Sequence, residues 1–170
     1  MRTILLIPAL LISSLLFGQI PTSTGENPIA EYALAHEGDK VGTGLCFDLV
    51  RKACEKENRK WYKKVWCDDK ELRKHLVKSP EPGDVIQFRY VKLEKNGKDH
   101  TISRHVGIVV EVINDSTLVY AEQNVIMKGD PTKIIKYEGQ TVRISKNSVV
   151  ILSEINPLSL TKGKINYYRF

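Results

Sequence analysis

The chain has 170 residues, 42% of them hydrophobic and 27% charged, with a formal net charge of +6. That balance supports one ordinary globular core and excludes a disordered or fibrous chain. The positive charge suits an anionic partner such as a cell-wall polymer. The basic residues form no arm and are not interleaved with aromatic residues, so no nucleic-acid partner is expected.

The N-terminus has the pattern of a secretory signal: Arg2, then the apolar stretch Ile4 to Phe17, interrupted by Pro8, Ser13 and Ser14. The stretch is shorter than the roughly 20 residues of a membrane span. Residues 1–18 are read as the signal peptide, with cleavage after Gly18 or as late as Gly25. An uncleaved anchor is the competing reading. Removing residues 1–18 takes away one arginine and no acid, so the net charge falls from +6 to +5. No integral membrane segment would then remain, and the mature protein is expected to be secreted or periplasmic. Residues 19–30 read as a flexible lead-in, and 31–170 as a single domain, long enough for one core.

The three cysteines are Cys46, Cys54 and Cys67. An odd count in an exported chain leaves at least one free or paired between chains. Cys54 and Cys67 could pair, which would leave Cys46 as a thiol. No C-x-x-C pattern occurs, so no zinc site is expected.

Ile29 to His36 reads as a short helix with His36 part-buried on its apolar face. Gly38, Gly42 and Gly44 then hold the chain off regular structure. From Leu45 the pattern turns helical and runs to about Glu57, with Leu45, Leu49 and Ala53 on one face. Cys46 falls in the first turn, where the helix dipole and unpaired N–H groups favour a thiolate. A packed, inert thiol is the competing reading. Cys54 lies on nearly the same side two turns later, without the dipole advantage, and reads as a core or disulfide residue. Trp61, Tyr62 and Trp66 either stack on a ligand or cap the core. Asp68 to Val77 has the acid start and basic end of a helix.

Ser79 to Asp84 is a turn, and Val85 to Val91 alternates as a strand, with Ile86, Phe88 and Tyr90 assigned to the core side. Lys92 to Ser103, centred on Asn96–Gly97, reads as a long hairpin loop and a flap over a site, carrying His100 as a weaker base candidate. His105 opens a β-branched strand. A turn follows at Asn114 to Ser116, and a second strand, Thr117 to Ala121, delivers Glu122 and Asn124. Antiparallel pairing would bring the start of the first strand beside the end of the second, with His105 next to Glu122 and Asn124. Beyond Asn124, residues 128–131 form a turn, and Val142 to Ile144, Ser148 to Leu152 and Ile165 to Phe170 are strand candidates. Helices first and strands after argue an α+β fold with an antiparallel sheet.

A thiol at a helix start, a histidine on a strand and polar groups on the neighbouring strand suit thiol acyl transfer. These stretches resemble a CHAP-type domain (cysteine, histidine-dependent amidohydrolase/peptidase) of the papain-like NlpC superfamily. The residues that carry the resemblance are G-T-G-L-C-F-D-L-V around Cys46, P-G-D-V-I-Q-F around Asp84, R-H-V-G-I-V-V-E-V around His105, and A-E-Q-N at Glu122 to Asn124. The resemblance spans residues 36–125 and implies a papain-like packing of N-terminal helices on an antiparallel sheet. It implies Cys46 as nucleophile, with its backbone N–H in the oxyanion site, and His105 as base and acid. Glu122 would orient the histidine, with Asn124 as a further polar member, and which of the two contacts it stays open. No metal or cofactor is implied, and a monomer is expected. The implied activity is hydrolysis of amide bonds in peptidoglycan, as an N-acetylmuramoyl-L-alanine amidase or a cross-bridge endopeptidase. A non-catalytic wall- or protein-binding domain and a thiol acyltransferase are the alternatives. Two departures stand out: Leu45 and Phe47 flank the cysteine, and Arg104 stands where the family carries glycine.

Overall fold

The computed structural model describes residues 27–59, 70–95, 98–126, 129–137 and 140–170. The signal sequence, most of the lead-in, Trp61, Tyr62, Trp66, Cys67 and the Asn96–Gly97 turn lie outside them.

Two helices precede the strands. Helix α1 spans Pro28–Ala35, starting inside the stretch read as lead-in, because Asn27 caps it by accepting the Ile29 N–H at 3.0 Å and Pro28 suits its first turn. Helix α2 spans Cys46–Lys56 and buries Leu49, Val50, Ala53 and Cys54. Of the region read as a helix from Asp68 to Val77, Asp68 and Asp69 lie outside the described residues, and the rest holds only a short 3-10 turn, Leu72–His75. Leu76–Val77 then forms strand β1, captured by backbone pairing to the C-terminal strand β8 (Leu160–Tyr168). Sheet pairing outcompetes the helical propensity of that short stretch.

Strands β2 (Val85–Lys95), β3 (Lys98–Asn114), β4 (Thr117–Glu122) and β7 (Ile151–Ile155) complete a six-stranded antiparallel sheet, ordered β1-β8-β2-β3-β4-β7. Strands β5 (Thr132–Tyr137) and β6 (Gln140–Ser145) form a separate two-stranded ribbon. Few helices and a mainly antiparallel sheet make the architecture α+β.

The expected loop from Lys92 to Ser103 is strand: β2 and β3 stay paired out to Lys95 and Lys98. His100 therefore sits on β3, and His105 lies inside that strand rather than at its start. The helices cover one sheet face, packing on Val85, Val106, Ile108 and Ala121. The opposite face buries Ile86, Phe88, Val109, Leu118, Tyr120 and Ile155. Val91 and Leu93 join that second cluster, although strict alternation from Phe88 would send them to the other side. The phase changes at Tyr90, whose φ is 51°, where the β2–β8 register slips between Arg89 and Lys92. Tyr90 is thereby thrown outward, 57% exposed, instead of entering the core as its alternation predicts.

Candidate active site

Cys46 is the first residue of α2, and Leu45 before it supplies no side-chain cap. The Cys46 N–H thus has no intrahelical acceptor, as at any helix start. The approach turns through Gly42 and Gly44, both at positive φ. Asp48, fully buried, ties this loop to the helix. It accepts from the Thr43 N–H at 2.7 Å and from the Thr43 hydroxyl, and Arg51 neutralises it at 2.7 Å.

A second tie comes from the far strand. Gln123, fully buried, accepts from the Val41 N–H at 2.8 Å and donates to the carbonyls of Val41 at 3.0 Å and Leu45 at 2.9 Å. A third tie runs through Ser148, which donates to the Gly44 carbonyl at 2.5 Å and accepts the Asn124 N–H at 3.0 Å. The turn before the thiol is therefore held by backbone contacts to residues 78 and 104 positions away in sequence.

The register of β3 and β4 pairs Gly107 with Glu122. Continuing that register would set Asn124 opposite His105. The chain leaves the strand after Glu122, and Asn124 turns at φ 67°. The diagonal neighbour Glu122 takes the contact instead, with its Oε2 2.6 Å from His105 Nε2. The oxygen lies close but off the N–H axis, so the contact is an ion pair and not a linear hydrogen bond. Asn124 uses its amide on the ribbon: Oδ1 accepts from the Ser145 N–H at 3.0 Å and Nδ2 donates to the Arg143 carbonyl at 3.3 Å.

Gly107 makes this register possible. A Cβ there would lie 2.5 Å from the Ala121 carbonyl oxygen and 2.9 Å from the Tyr120 ring.

With Nε2 at Glu122, Nδ1 is the ring nitrogen left for the Cys46 sulfur, the neighbouring group that acts most strongly on the imidazole. Burial alone would pull the His105 pKa down. The Cys46 sulfur and the Glu122 carboxylate outweigh burial and raise it from 6.5 to about 10. Burial would likewise push the Glu122 carboxyl up. His105, then the Ser153 and Tyr120 hydroxyls, overcome that and hold it below the ordinary carboxylate range. Tyr120 and Ser153 are register partners on β4 and β7, so both face the same side as Glu122. The Cys54 thiol is the opposite case: fully buried, it is pushed up to about 12, chiefly by burial.

Cys46, His105, Tyr120, Glu122 and Ser153 all open onto one cleft of about 890 Å³. Its walls are the outer β2–β3 hairpin (Leu93, His100, Arg104) and the ribbon side (Ile126, Val142, Arg143). His100 lines the wall, while His105 faces the thiol. Sequence reasoning missed Gln123, Asp48, Ser148, Tyr120 and Ser153. Strand alternation could have found two of them, since it sets Tyr120 beside Glu122 and Gln123 on the helix side. Ser153 and Ser148 depend on pairings across distant sequence that no local pattern carries.

No curated protein and no solved structure matches the chain significantly. The profile of the CHAP domain matches residues 36–124, more than half of the chain, from the end of α1 to the turn after β4. That segment contains the thiol, the histidine and the carboxylate just described, and the chain belongs to the CHAP domain family.

Proposed function

We propose that the protein is a secreted cysteine hydrolase that cleaves amide bonds in peptidoglycan, with a papain-like arrangement of helix and sheet. CHAP domains are generally hydrolases, which supports this reaction class. The observation that carries the reading is one chain of neighbours: Cys46 at an uncapped helix start, its sulfur acting on His105, which is paired at 2.6 Å with the buried Glu122.

The chemistry follows from these positions. Cys46 Sγ attacks the amide carbonyl carbon as a thiolate, with the proton held on His105. The Cys46 backbone N–H, at the positive end of α2, donates to the developing oxyanion. His105 then gives its proton to the amide nitrogen, the C–N bond breaks, and the amine leaves from a thioester. A water attacks that thioester as His105 takes its proton. The C–S bond breaks and a carboxylic acid departs. Glu122 keeps the ring oriented and balances its charge in both halves. Asn124 serves the site indirectly, by fixing the ribbon wall.

Export rests on the apolar stretch Ile4 to Phe17 behind Arg2. The test is digestion of purified sacculi with mass analysis of the fragments. Release of stem peptides with a free N-terminal alanine from glycan bearing unsubstituted lactyl carboxylates indicates the amidase cut, and opened cross-bridges indicate the endopeptidase cut. Undiminished fragment release by Cys46→Ala would overturn the proposal.

A further inference from the structure

Arg104, a residue of the cleft lining held against Tyr90 beside it, is a feature that the hydrolytic steps do not use. Arg104 directly precedes His105 and lines the cleft. Its guanidinium lies over the Tyr90 ring, 5.3 Å from the centroid, and among the described residues it pairs with no carboxylate. Tyr90 is placed for this by a strained backbone: φ of 51° in a bulky residue. The strain is held by close packing on β8, where a Cβ at Gly163 would come 2.3 Å from the Tyr90 carbonyl oxygen. A guanidinium held at an aromatic ring by cation–π attraction keeps its N–H donors free, and it takes a carboxylate through two of them. The cleft beside the thiol thus carries an oriented, uncompensated cation.

We infer that Arg104, posed by Tyr90, is a specificity-determining residue that anchors a substrate carboxylate close to the scissile amide. The inference rests on Cys46 being the nucleophile. Its occupant is a peptide carrying a free carboxylate one or two residues from the bond to be cut. The Tyr90 contact restricts where the guanidinium can sit, and an amidated equivalent of the same shape loses the charge-assisted contact.

The test uses the full chain in a Cys67→Ser background and two affinity reagents for Cys46, iodoacetylglycine and iodoacetylglycinamide. They share the reactive carbon and differ only in a distal carboxylate or amide. Arg104→Gln is expected to slow the carboxylate reagent about tenfold and to leave the amide reagent within about twofold, since one charge-assisted contact is lost. Tyr90→Leu, which keeps the charge and removes the ring, is expected to lower the same ratio by a smaller factor. An unchanged ratio in Arg104→Gln, or equal slowing of both reagents, overturns the inference. Because the ratio needs no turnover, it is read even if sacculi are never cut. Where they are cut, Arg104→Gln should narrow the kcat/KM gap between stem peptides with free and with amidated carboxylates.

Discussion

Gln123 donates to the carbonyl of Leu45 at 2.9 Å, and so joins the residue after the Glu122 carboxylate to the residue before the Cys46 thiol. Successive strand residues point to opposite faces. Glu122 therefore meets His105 on one side, while Gln123 grips the turn before Cys46 on the other. One dipeptide holds both the Cys46 turn and the His105 ring.

Removing that grip should loosen the site before it unfolds the protein. In Gln123→Leu the Val41 N–H loses its acceptor, while the Val41 and Leu45 carbonyls keep the Gly44 and Asp48 N–H groups. A cost of about 2 kcal/mol is expected from one buried, unpaired donor and two weakened acceptors, measured by urea unfolding. The alkylation rate of Cys46 should fall as its distance to His105 loosens. A rate equal to that of the parent would show that the tie is purely structural.

The pH dependence follows from the two shifted groups. His105 is raised from 6.5 to about 10, so its contribution to stability is complete below pH 6.5 and is lost as pH rises towards 10. The Glu122 carboxyl is lowered, so its contribution is present above its ordinary value of 4.5 and is lost as pH falls below it. The His105 imidazolium should persist through the neutral range. In Glu122→Gln the upper edge of that window should drop by about one unit or more, because a carboxylate supporting the imidazolium is gone. NMR titration of ¹³C-labelled His105 reads the shift directly, and an unmoved titration would refute the role given to Glu122.

The two described thiols should separate cleanly. Cys46 lines the cleft, whereas Cys54 is fully buried with its thiol at about 12. In a Cys67→Ser background at pH 7.5, iodoacetamide should modify Cys46 alone in the folded protein. Cys46→Ala should lower fragment release at least about 10³-fold with folding intact. Cys54→Ala should leave the rate unchanged and cost about 1–2 kcal/mol, the range for a small buried truncation. Peptide mapping by mass spectrometry after alkylation decides between them.

Gly107 offers the sharpest structural test. Its hypothetical Cβ meets backbone, the Ala121 oxygen at 2.5 Å, which cannot swing aside. Gly107→Ala must therefore push β3 and β4 apart at the pair that sets His105 against Glu122. A loss of about 2 kcal/mol or more is expected in thermal unfolding, the usual cost of overpacking. Activity should fall further than that stability loss explains, and unchanged crosspeaks for His105 would argue against the mechanism.

Local patterns alone determined much of the site. The helix start after Gly44 placed Cys46, since apolar spacing of 3.6 begins at Leu45 and glycines precede it. The β-branched run and the Asn114–Ser116 turn placed His105 and Glu122 on neighbouring strands, because a tight turn forces antiparallel pairing. These are contacts between residues within one turn or one hairpin, where the chain itself limits the geometry. Only the tertiary structure decided the rest. Whether Glu122 or Asn124 meets His105 depends on where β4 ends, and that is set by the Asn124 amide binding the ribbon at Arg143 and Ser145. The hairpin read as a polar loop became strand because β8, arriving from the far end of the chain, pairs with β2. Tyr90 left the core for the same reason: the close approach of Gly163 imposes a turn that alternation does not encode. Hydrogen bonds and steric limits between distant segments have no local periodicity, so they enter only when the sheet is assembled.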